Sequence, residues 1–212
     1  STGFMQTKWD GAPSVVCGTD PLNGMFFVGT KSVFAKNSKA CYDDVDVDLY
    51  YEGDLAEKLK YSLKYFSTLG IQGIVQGDLL FTTDVKRETV NGEKLYTFTP
   101  NTITYGIPVD HPIGVATSKA KIGVVFHTHY RGTDFQTMQA VAGAKVKGSI
   151  EVLSVDNDTP MDRVGLNHSE EVLFDKYVAN IEKMCAASGD FLDELTTLSG
   201  TAGDAKWHVS SY

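Results

Sequence analysis

Cysteine is scarce in this sequence. The chain has 212 residues and three cysteines, Cys17, Cys41 and Cys185, which lie far apart and form neither a Cys-x-x-Cys motif nor a Cys/His ligand pair. An odd number of widely spaced cysteines argues against a disulfide framework and against a zinc-binding module. We therefore expect a reducing, cytoplasmic setting, which for a viral protein is the cytoplasm of the host.

Long apolar runs and an excess of positive charge are also lacking. No segment approaches the roughly 20 apolar residues of a transmembrane helix, and no signal-peptide pattern is present, so we expect no membrane partner. The net charge is -8, which is unfavourable for a broad nucleic-acid-binding surface but leaves room for a local basic cleft. The first methionine is Met5, and we expect a trimmed piece of a longer protein.

The turn and strand signals predict the fold class. The turn residues Asp20–Gly24 and Asn91-Gly92 separate apolar segments and are typical of hairpins. Predicted strands cover residues 15–17, 25–30, 71–81, 86–90, 95–98, 102–109 and 121–130. Because most of these strands are joined by hairpins, we predict an α+β fold with mainly antiparallel sheets. We expect one domain over residues 1–150 and a helical appendage with a loose tail over 151–212.

Two helices are expected. Asp54 and Glu57 have capping-box spacing, and an apolar stripe follows them as far as Leu69, where Gly70 is a stop signal. A second helix is predicted over residues 169–188. The acidic stretch 37–52 is interpreted as a solvated loop or short surface segment.

His127 and His129 lie two residues apart in a predicted strand, so a regular strand would place both on one face. Two such histidines can ligate a metal, but the sequence offers no clear third ligand. We interpret them as surface or cleft residues.

The stretch Lys8-Trp9-Asp10-Gly11 has the residues of a nucleophilic site. A lysine attacks an electrophilic phosphorus only as the free amine, whereas an unperturbed lysine is protonated at neutral pH. Neighbouring cations, burial or a bound metal favour the free amine. Asp10 is placed to orient Lys8, and Gly11 allows the backbone to approach a ligand closely.

Lys8-Trp9-Asp10-Gly11 resembles the nucleotidyl-acceptor motif of the covalent nucleotidyltransferase superfamily, which includes ATP-dependent DNA ligases, RNA ligases and mRNA capping enzymes. Further stretches are similar to later motifs of that family and follow in the same order. They are Gly29-Thr30-Lys31, the segment 74–80 with Gly77-Asp78, the segment 122–127 with an aromatic Phe126, and Lys145-Val146-Lys147. The chain as a whole resembles an uncharacterised, phage-like branch.

This resemblance implies a fold like the ligase adenylation domain and a reaction in which Lys8 attacks the α-phosphate of ATP. The product is a covalent lysyl-AMP, formed with Mg²⁺ as cofactor and used for ligation of DNA or RNA. The implied partners are a nucleotide and a nucleic acid, and Asp78 is the implied metal ligand. The implied nucleotide-binding residues are Trp9, Asp10, Gly11, Lys31, Asp78, Phe126, Lys145 and Lys147.

The sequence departs from the family's pattern at three places. Ala12-Pro13-Ser14 stands where the first motif continues to a ribose-binding arginine, and Ile122 stands where the fourth motif has a metal-binding glutamate. The residues after 150 are too few for a full oligonucleotide-binding domain of the ligase type. The chain is therefore a fragment, has an altered metal site, or is not a working enzyme.

Three functions stay open on this evidence. The first is an ATP-dependent nucleotidyltransferase. The second is a catalytically degenerate nucleotide- or nucleic-acid-binding, or virion-associated, module of the same fold. The third is an α+β domain in which Lys8-Trp9-Asp10-Gly11 occurs by chance.

Overall fold

The computed structural model describes residues 12–155 and the strand Asp162–Val164. These residues fall into two compact units, one of residues 12–83 with 120–155 and one of residues 84–119 with 162–164. The first unit holds a six-stranded sheet and the second a four-stranded sheet, and all but one of the strand pairings are antiparallel. The predicted α+β class with mainly antiparallel sheets is therefore confirmed.

The described residues form ten strands, three α-helices and two 3₁₀ helices. In chain order they are β1 Ser14–Thr19, β2 Phe26–Gly29, a 3₁₀ helix Lys31–Phe34, α1 Asp44–Tyr50, α2 Gly53–Phe66, β3 Ile74–Phe81, β4 Lys86–Val90, β5 Glu93–Phe98, β6 Thr104–Pro108, α3 Pro112–Lys119, β7 Ile122–Arg131, a 3₁₀ helix Phe135–Thr137, β8 Gln139–Ala142, β9 Val152–Val155 and β10 Asp162–Val164. The helix predicted over residues 169–188 lies outside the described part of the chain.

The six-stranded sheet is arranged around β3 and β7. Its order is β2-β1-β3-β7-β8, and β9 pairs in parallel with the first half of β7. The hairpin between β1 and β2 forms at the predicted turn, where the Asp20 side chain accepts a hydrogen bond from the backbone N–H of Leu22 at 2.8 Å. The Asn23 side chain accepts one from Met25 at 2.9 Å. These local bonds are the turn chemistry that makes Asp and Asn favourable there.

Helix α2 covers one face of this sheet. Its buried residues Leu59 and Phe66 pack with Val75, Leu79 and Phe126 in one apolar cluster, which we call the helix-side core. Each large apolar side chain that leaves water in this way contributes about 1.5–3 kcal/mol. The apolar stripe predicted for this helix is therefore the surface by which it packs on the sheet.

The two 3₁₀ helices cover part of the opposite face. Val33 and Phe135 come from these short helices and cluster with Val16, Phe27 and Ile74 of the sheet. The rings of Phe27 and Phe135 meet edge to face, with their centroids 5.0 Å apart. Strands β1 and β3 are therefore buried on both faces over much of their length.

The four-stranded sheet has the order β10-β6-β5-β4. Asn91 and Gly92 connect β4 to β5 with φ angles of 51° and 80°, as a two-residue hairpin of this sequence requires. Helix α3 was not predicted from the sequence. It begins at Pro112 directly after His111, whose Nδ1 accepts a hydrogen bond from the backbone N–H of Ile113.

The predicted capping box was wrong. Helix α2 has Glu52 at its N-cap, with no side-chain cap bond, and Asp54 instead pairs with Lys58 one turn later at 2.7 Å. The acidic stretch 37–52, interpreted as a solvated loop or short surface segment, contains the short helix α1, most of whose residues are exposed. Asp43 caps that helix by accepting from the backbone N–H of Asp46 at 2.8 Å, so one charge of the acidic run starts a helix.

Cys17 and Cys41 are free and buried. Burial raises the pKa of the Cys17 thiol. Burial, followed by the charges of Asp46 and Asp43, raises the pKa of Cys41 to about 11. Both side chains are therefore packed as small apolar groups in the protonated state.

Gly77 marks a close approach between β3 and β7. A Cβ atom at this position would lie 2.6 Å from the backbone oxygen of Val125 and 3.0 Å from the Cα of Phe126. Both are backbone atoms of the neighbouring strand, so a side chain cannot be accommodated by a rotamer change alone. The glycine therefore allows the two central strands to pair at this point.

We predict that Gly77→Ala destabilises the protein. The added methyl group forces β7 away from β3, and overpacking of this kind costs about 1–3 kcal/mol in the free energy of unfolding. Urea denaturation followed by circular dichroism measures this change. Gln139→Ala, at an exposed position of β8, is the control and should change stability by less than about 0.5 kcal/mol. Equal stability of the two variants would contradict the close approach.

Candidate functional site

Polar side chains gather on the face of the six-stranded sheet that faces away from α2. Ser14 pairs with Asp78 across β1 and β3, and Gln76 pairs with Thr128 across β3 and β7. Directly paired residues of antiparallel strands project to the same face. We call this group the polar face; its members are Ser14, Gln76, Asp78, His127, Thr128 and Tyr130.

A β-bulge in β7 determines which residues join the polar face. Gln76 pairs with Thr128 and Gly77 pairs with Phe126, which leaves His127 as the extra residue. A bulge of this kind re-aims a side chain, and here the imidazole of His127 reaches the carboxylate of Asp78, with Nε2 3.2 Å from Oδ1. His127 and Thr128 therefore lie on one face although they are adjacent in sequence.

The prediction that His127 and His129 share a face is wrong, and the bulge is the reason. His129 pairs with Val75, which belongs to the helix-side core, and its Nδ1 lies 2.6 Å from the backbone oxygen of Gly143. Both histidines were interpreted as surface or cleft residues, and in the structure both are of intermediate burial. The two imidazoles do not converge on one ligand.

Asp78, His127 and Thr128 form a chain of hydrogen bonds. The second ring nitrogen of His127, Nδ1, lies 2.7 Å from the hydroxyl oxygen of Thr128. An ionised carboxylate only accepts hydrogen bonds, so with a neutral imidazole Nε2–H donates to Asp78 and Nδ1 accepts from the threonine hydroxyl. The side chains of His127 and Asp78 are 23% and 21% exposed, so the chain of bonds is partly open to solvent.

Gln76 is the buried centre of a second set of bonds. It is 6% exposed, its amide nitrogen donates to Ser14 Oγ at 2.7 Å, and its amide oxygen accepts from the hydroxyl of Tyr130. Burial raises the pKa of Tyr130, which keeps its hydroxyl protonated as a donor. The ring of Tyr130 also contacts Phe34, with centroids 4.5 Å apart, so the polar face continues directly into the apolar cluster beneath the 3₁₀ helices.

The structure brings some of the predicted site residues to this face. Asp78 belongs to it, and Lys31 starts the 3₁₀ helix that covers the same side of the sheet. Gly29, the last residue of β2, pairs with Val16 of β1. Two residues earlier in β1, on the same face as Val16, Ser14 pairs with Asp78 of β3. Lys31 therefore leaves β2 at the sheet end where Asp78 lies, with its own side chain exposed.

Other predicted residues are placed elsewhere. Phe126 is 3% exposed in the helix-side core, where its ring meets that of Phe66 edge to face at 5.3 Å. Lys145 and Lys147 are exposed, while the alternate residues of their segment, Ala144 and Val146, pack against the same core. Lys8, Trp9, Asp10 and Gly11 lie outside the described residues.

Several members of the polar face were missed by the sequence analysis. Gln76-Gly77-Asp78 stands out as a polar interruption of an apolar strand, and that signal was used for Asp78 alone. His127 was considered only as a partner of His129. Ser14, Thr128 and Tyr130 carry no local signal, because only the strand register brings them next to Gln76 and His127.

The polar face offers a limited donor set for a metal ion. Among the residues that the structure describes, no group of three or more His, Cys, Asp or Glu side chains could hold a metal. Mg²⁺ often uses only one or two protein carboxylates together with substrate phosphates and water. Asp78 therefore fits as a single ligand for Mg²⁺ that arrives with a nucleotide, although His127 already engages one of its oxygens.

A concave region, separate from the polar face, lies beside the first turns of α1 and along α2. It has a volume of about 780 Å³ and is lined by Phe26, Tyr42, Asp43, Asp44, Val45, Glu57, Lys60, Tyr61, Leu63, Lys64 and Ser67. The ammonium of Lys60 in this groove is paired with Asp48 at 2.7 Å and with Glu57 at 3.5 Å. None of the predicted site residues that the structure describes lines it.

None of the helices in the described ranges is long and apolar enough to cross a membrane.

Comparison with known proteins gives a family but no activity. A family model described as "Family of unknown function (DUF6267)" matches residues 1–212, and the chain belongs to this family. No curated protein and no solved structure matches the chain.

We predict that Tyr130→Phe lowers the free energy of unfolding by about 1–2 kcal/mol, because Gln76 loses a hydrogen-bond donor in a buried place. Tyr50→Phe removes the same atom from an exposed side chain and should change stability by less than about 0.5 kcal/mol. Urea denaturation of both variants at neutral pH makes the comparison, and equal changes would contradict the buried bond.

The pH dependence provides a second readout of Tyr130. Its folded pKa is above the unfolded value of about 10, so its contribution to stability is present below pH 10 and is lost as the pH rises through the folded pKa. Tyr130→Phe should therefore lose less stability than the parent protein as the pH is raised above about 10. An unchanged alkaline slope would contradict this assignment.

Proposed function

We propose that this DUF6267 protein is an ATP-dependent nucleotidyltransferase of the DNA and RNA ligase type. Lys8 attacks the α-phosphorus of ATP, a P–N bond forms, and the bond to pyrophosphate breaks. The product is lysyl-AMP, from which the nucleotide passes to an acceptor such as a nucleic-acid end. We also propose the cytoplasm as its site of action, or the host cytoplasm if the protein is viral.

One observation supports this proposal: two of the stretches that resemble family motifs, Gly29-Thr30-Lys31 and the segment with Gly77-Asp78, meet at one end of the six-stranded sheet. The backbone oxygen of Pro13 accepts a hydrogen bond from the N–H of Leu79 at 2.8 Å, and Ser14 pairs with Asp78. Lys8 precedes Ser14 by six residues, a span of at most about 22 Å when fully extended. The length of the intervening chain is therefore compatible with the proposal that Lys8 acts at the end of the sheet where Asp78 and Lys31 lie.

The residues of this end have complementary roles in the proposed reaction. The exposed ammonium of Lys31 balances phosphate charge and favours the free amine of Lys8. Asp78 would contact the nucleotide and hold Mg²⁺, which when bound would neutralise the charge of the phosphates. Next to Asp78 along the strands, Ser14 and Gln76 are joined by a side-chain hydrogen bond. Catalysis of this kind consists mostly of positioning and charge stabilisation.

The proposal uses only part of the predicted nucleotide site. Phe126 is buried on the opposite face of the sheet, so base stacking needs another residue; Trp9 of the first motif is our proposal for it. Asp10 and Gly11 stay assigned to the nucleotide with Lys8. Lys145 and Lys147 are exposed cations, which suits a long-range electrostatic role towards nucleotide or nucleic acid.

A specific observation favours the second candidate function, a binding module that has lost catalysis. Ile122 stands where the resemblance places a metal-binding glutamate, and it is fully buried in the helix-side core. A carboxylate there would be buried without a partner at high cost. The position is therefore used for packing, and a module that holds a nucleotide or nucleic acid without forming a covalent bond is the alternative.

We predict that the full chain forms an acid-labile adduct with α-labelled ATP and Mg²⁺, because a P–N bond to lysine hydrolyses in acid. Lys8→Ala should abolish the label, and Lys31→Ala and Asp78→Asn should each lower its rate of formation at least tenfold. Lys119→Ala, at an exposed position at the end of α3, should label like the parent chain. Gel autoradiography and peptide mapping measure both the amount and the site.

The outcomes separate the two candidate functions. If none of the four nucleotides leaves an acid-labile label on the chain, the covalent proposal is wrong. Saturable ATP binding that survives Lys8→Ala, with no adduct, would instead support the binding module. Label that persists in Lys8→Ala would show that the acceptor was assigned to the wrong residue.

A further inference from the structure

We propose that helix α1, the β1–β2 turn and the groove beside α2 form a docking site for a positively charged, amphipathic segment of a partner protein. The apolar side chains of that segment lie in the groove and over α1, and its lysine or arginine side chains face the carboxylates of α1. We call this site the α1 surface; it comprises Leu22, Met25, Val45, Leu49 and the lining of the groove. It shares no residue with the polar face, so the inference is independent of the proposed function.

Exposed apolar side chains are concentrated at this site. Of the seven large apolar side chains that are exposed in the described part of the chain, five lie in the β1–β2 turn or on α1: Leu22, Met25, Val45, Leu49 and Tyr50. Val45 and Leu49 are 76% and 71% exposed, and their spacing of four residues places them on one side of the helix. Single exposed apolar residues are ordinary, whereas a cluster of them indicates an interaction site.

The groove and the β1–β2 turn are parts of one surface. Val45 and Tyr42 both line the groove, which has a volume of about 780 Å³. The hydroxyl of Tyr42 donates a hydrogen bond to the carboxylate of Asp20 at 2.6 Å, and the same carboxylate accepts from the backbone N–H of Leu22 at 2.8 Å. The turn is therefore held next to the groove, and a segment bound in the groove can also reach the turn.

Helix α1 is fixed in place although much of it is exposed. Val47 is fully buried in the helix-side core. The carboxylate of Asp48 pairs with the ammonium of Lys60 in α2 at 2.7 Å, and Asp43 caps the first turn. A surface that is already ordered loses little conformational entropy when a partner binds. Val45 and Leu49 are therefore presented by a preformed helix.

The charge of the α1 surface determines the class of partner. Residues 43–50 carry four carboxylates and neither lysine nor arginine. The groove adds Glu57 and the lysines Lys60 and Lys64, so carboxylates remain in excess. Nucleic acids and anionic membranes carry phosphate and are repelled by such a surface. A cationic segment with one apolar face is complementary to it, and an apolar groove is a common binding site for amphipathic helices.

Two occupants from the same protein are disfavoured by charge. Residues 169–188, for which the sequence predicts a helix, carry four acidic residues and two lysines, so their net charge has the same sign as that of α1. A second copy in a two-fold contact would place the carboxylates of two α1 helices against each other. A cationic segment of a different protein avoids both repulsions.

A synthetic peptide tests the docking site directly. The probe is a fluorescein-labelled peptide of leucine and lysine, with leucine at helical spacings of three and four. It is titrated with the full chain and followed by fluorescence anisotropy, and we expect saturable binding that weakens as salt is added. A scrambled peptide of the same composition, and one with glutamate in place of lysine, should bind at least about tenfold more weakly. Equal binding of either control peptide would overturn the proposal.

Matched variants locate the binding on the α1 surface. Val45→Gln combined with Leu49→Gln should weaken binding about tenfold, because both apolar contacts are lost from the site. Ile150→Gln, at a loop position that is also 76% exposed, is the control and should bind like the parent chain. Circular dichroism checks the fold, which substitutions at exposed positions should leave unchanged. Parent-like binding by the folded double variant would contradict the assignment.

Asp44→Asn tests the contribution of charge. Removal of one exposed carboxylate from the groove should weaken binding of the lysine peptide about threefold and reduce its salt dependence. Glu151→Gln, at an exposed position outside the α1 surface, should change neither quantity. The same effect from both variants would mean that the peptide senses only the net charge of the chain, and the proposal would be wrong.

A photocrosslinker distinguishes the possible occupants. Val45→p-benzoylphenylalanine is introduced into the full chain, which is illuminated in the presence of the lysine peptide and mapped by mass spectrometry. A crosslink to the peptide supports the proposal. A crosslink to residues 169–188 of the same chain, or one between two copies that sediment as a dimer, would show that the chain itself occupies the site and would overturn the proposal.

Discussion

The requirement to bury strand β3 on both faces governs the architecture of the six-stranded unit. This strand carries Gln76-Gly77-Asp78 in an apolar run, and a buried polar group is costly unless it is hydrogen-bonded. Neighbouring strands supply the partners: Ser14 and Tyr130 bond to Gln76, and His127 lies against Asp78. Gly77 allows β7 to approach closely enough for these contacts. The polar face is therefore a condition for folding as well as a candidate site.

The same sheet separates packing from chemistry by face. The face beneath α2 carries the helix-side core, which contains Ile122 and Phe126, two positions at which family motifs would have functional residues. The other face holds Asp78 and leads to the exposed Lys31. Because strand residues alternate between faces, a motif read along a strand has half its positions committed to the core. This explains why only part of the resemblance is carried by residues that a ligand can reach.

The electrostatics of the chain fit a local site better than a broad binding surface. The net charge is -8, and two of the three lysines of α2 are paired with carboxylates, Lys58 with Asp54 and Lys60 with Asp48. Exposed pairs of this kind add little stability, but they reduce the positive charge offered to a polyanion. A small ligand places fewer demands on such a surface than a nucleic-acid duplex does.

The strands, the hairpin turns and the apolar face of α2 could be predicted from the sequence, because each depends on neighbours within a few residues. Asn-Gly between two strands is typical of a hairpin turn with positive φ angles. The apolar face of a helix is visible in the sequence as apolar residues repeating at spacings of three and four. The start of α2 was mispredicted because Asp54 had an alternative partner in Lys58, one turn away. Helix α3 was missed because a short helix beginning at proline has little periodicity to detect.

The sequence by itself determined the fold class, the polar interruption at Asp78 and the candidate nucleophile Lys8. Only the tertiary structure decided that Ser14, Gln76 and Tyr130 share a hydrogen-bonded set and that His127, and not His129, meets Asp78. The physical reason is register: one extra residue in β7 changes which side chains share a face. That shift depends on the pairing of strands about 50 residues apart in sequence, and no local pattern encodes it.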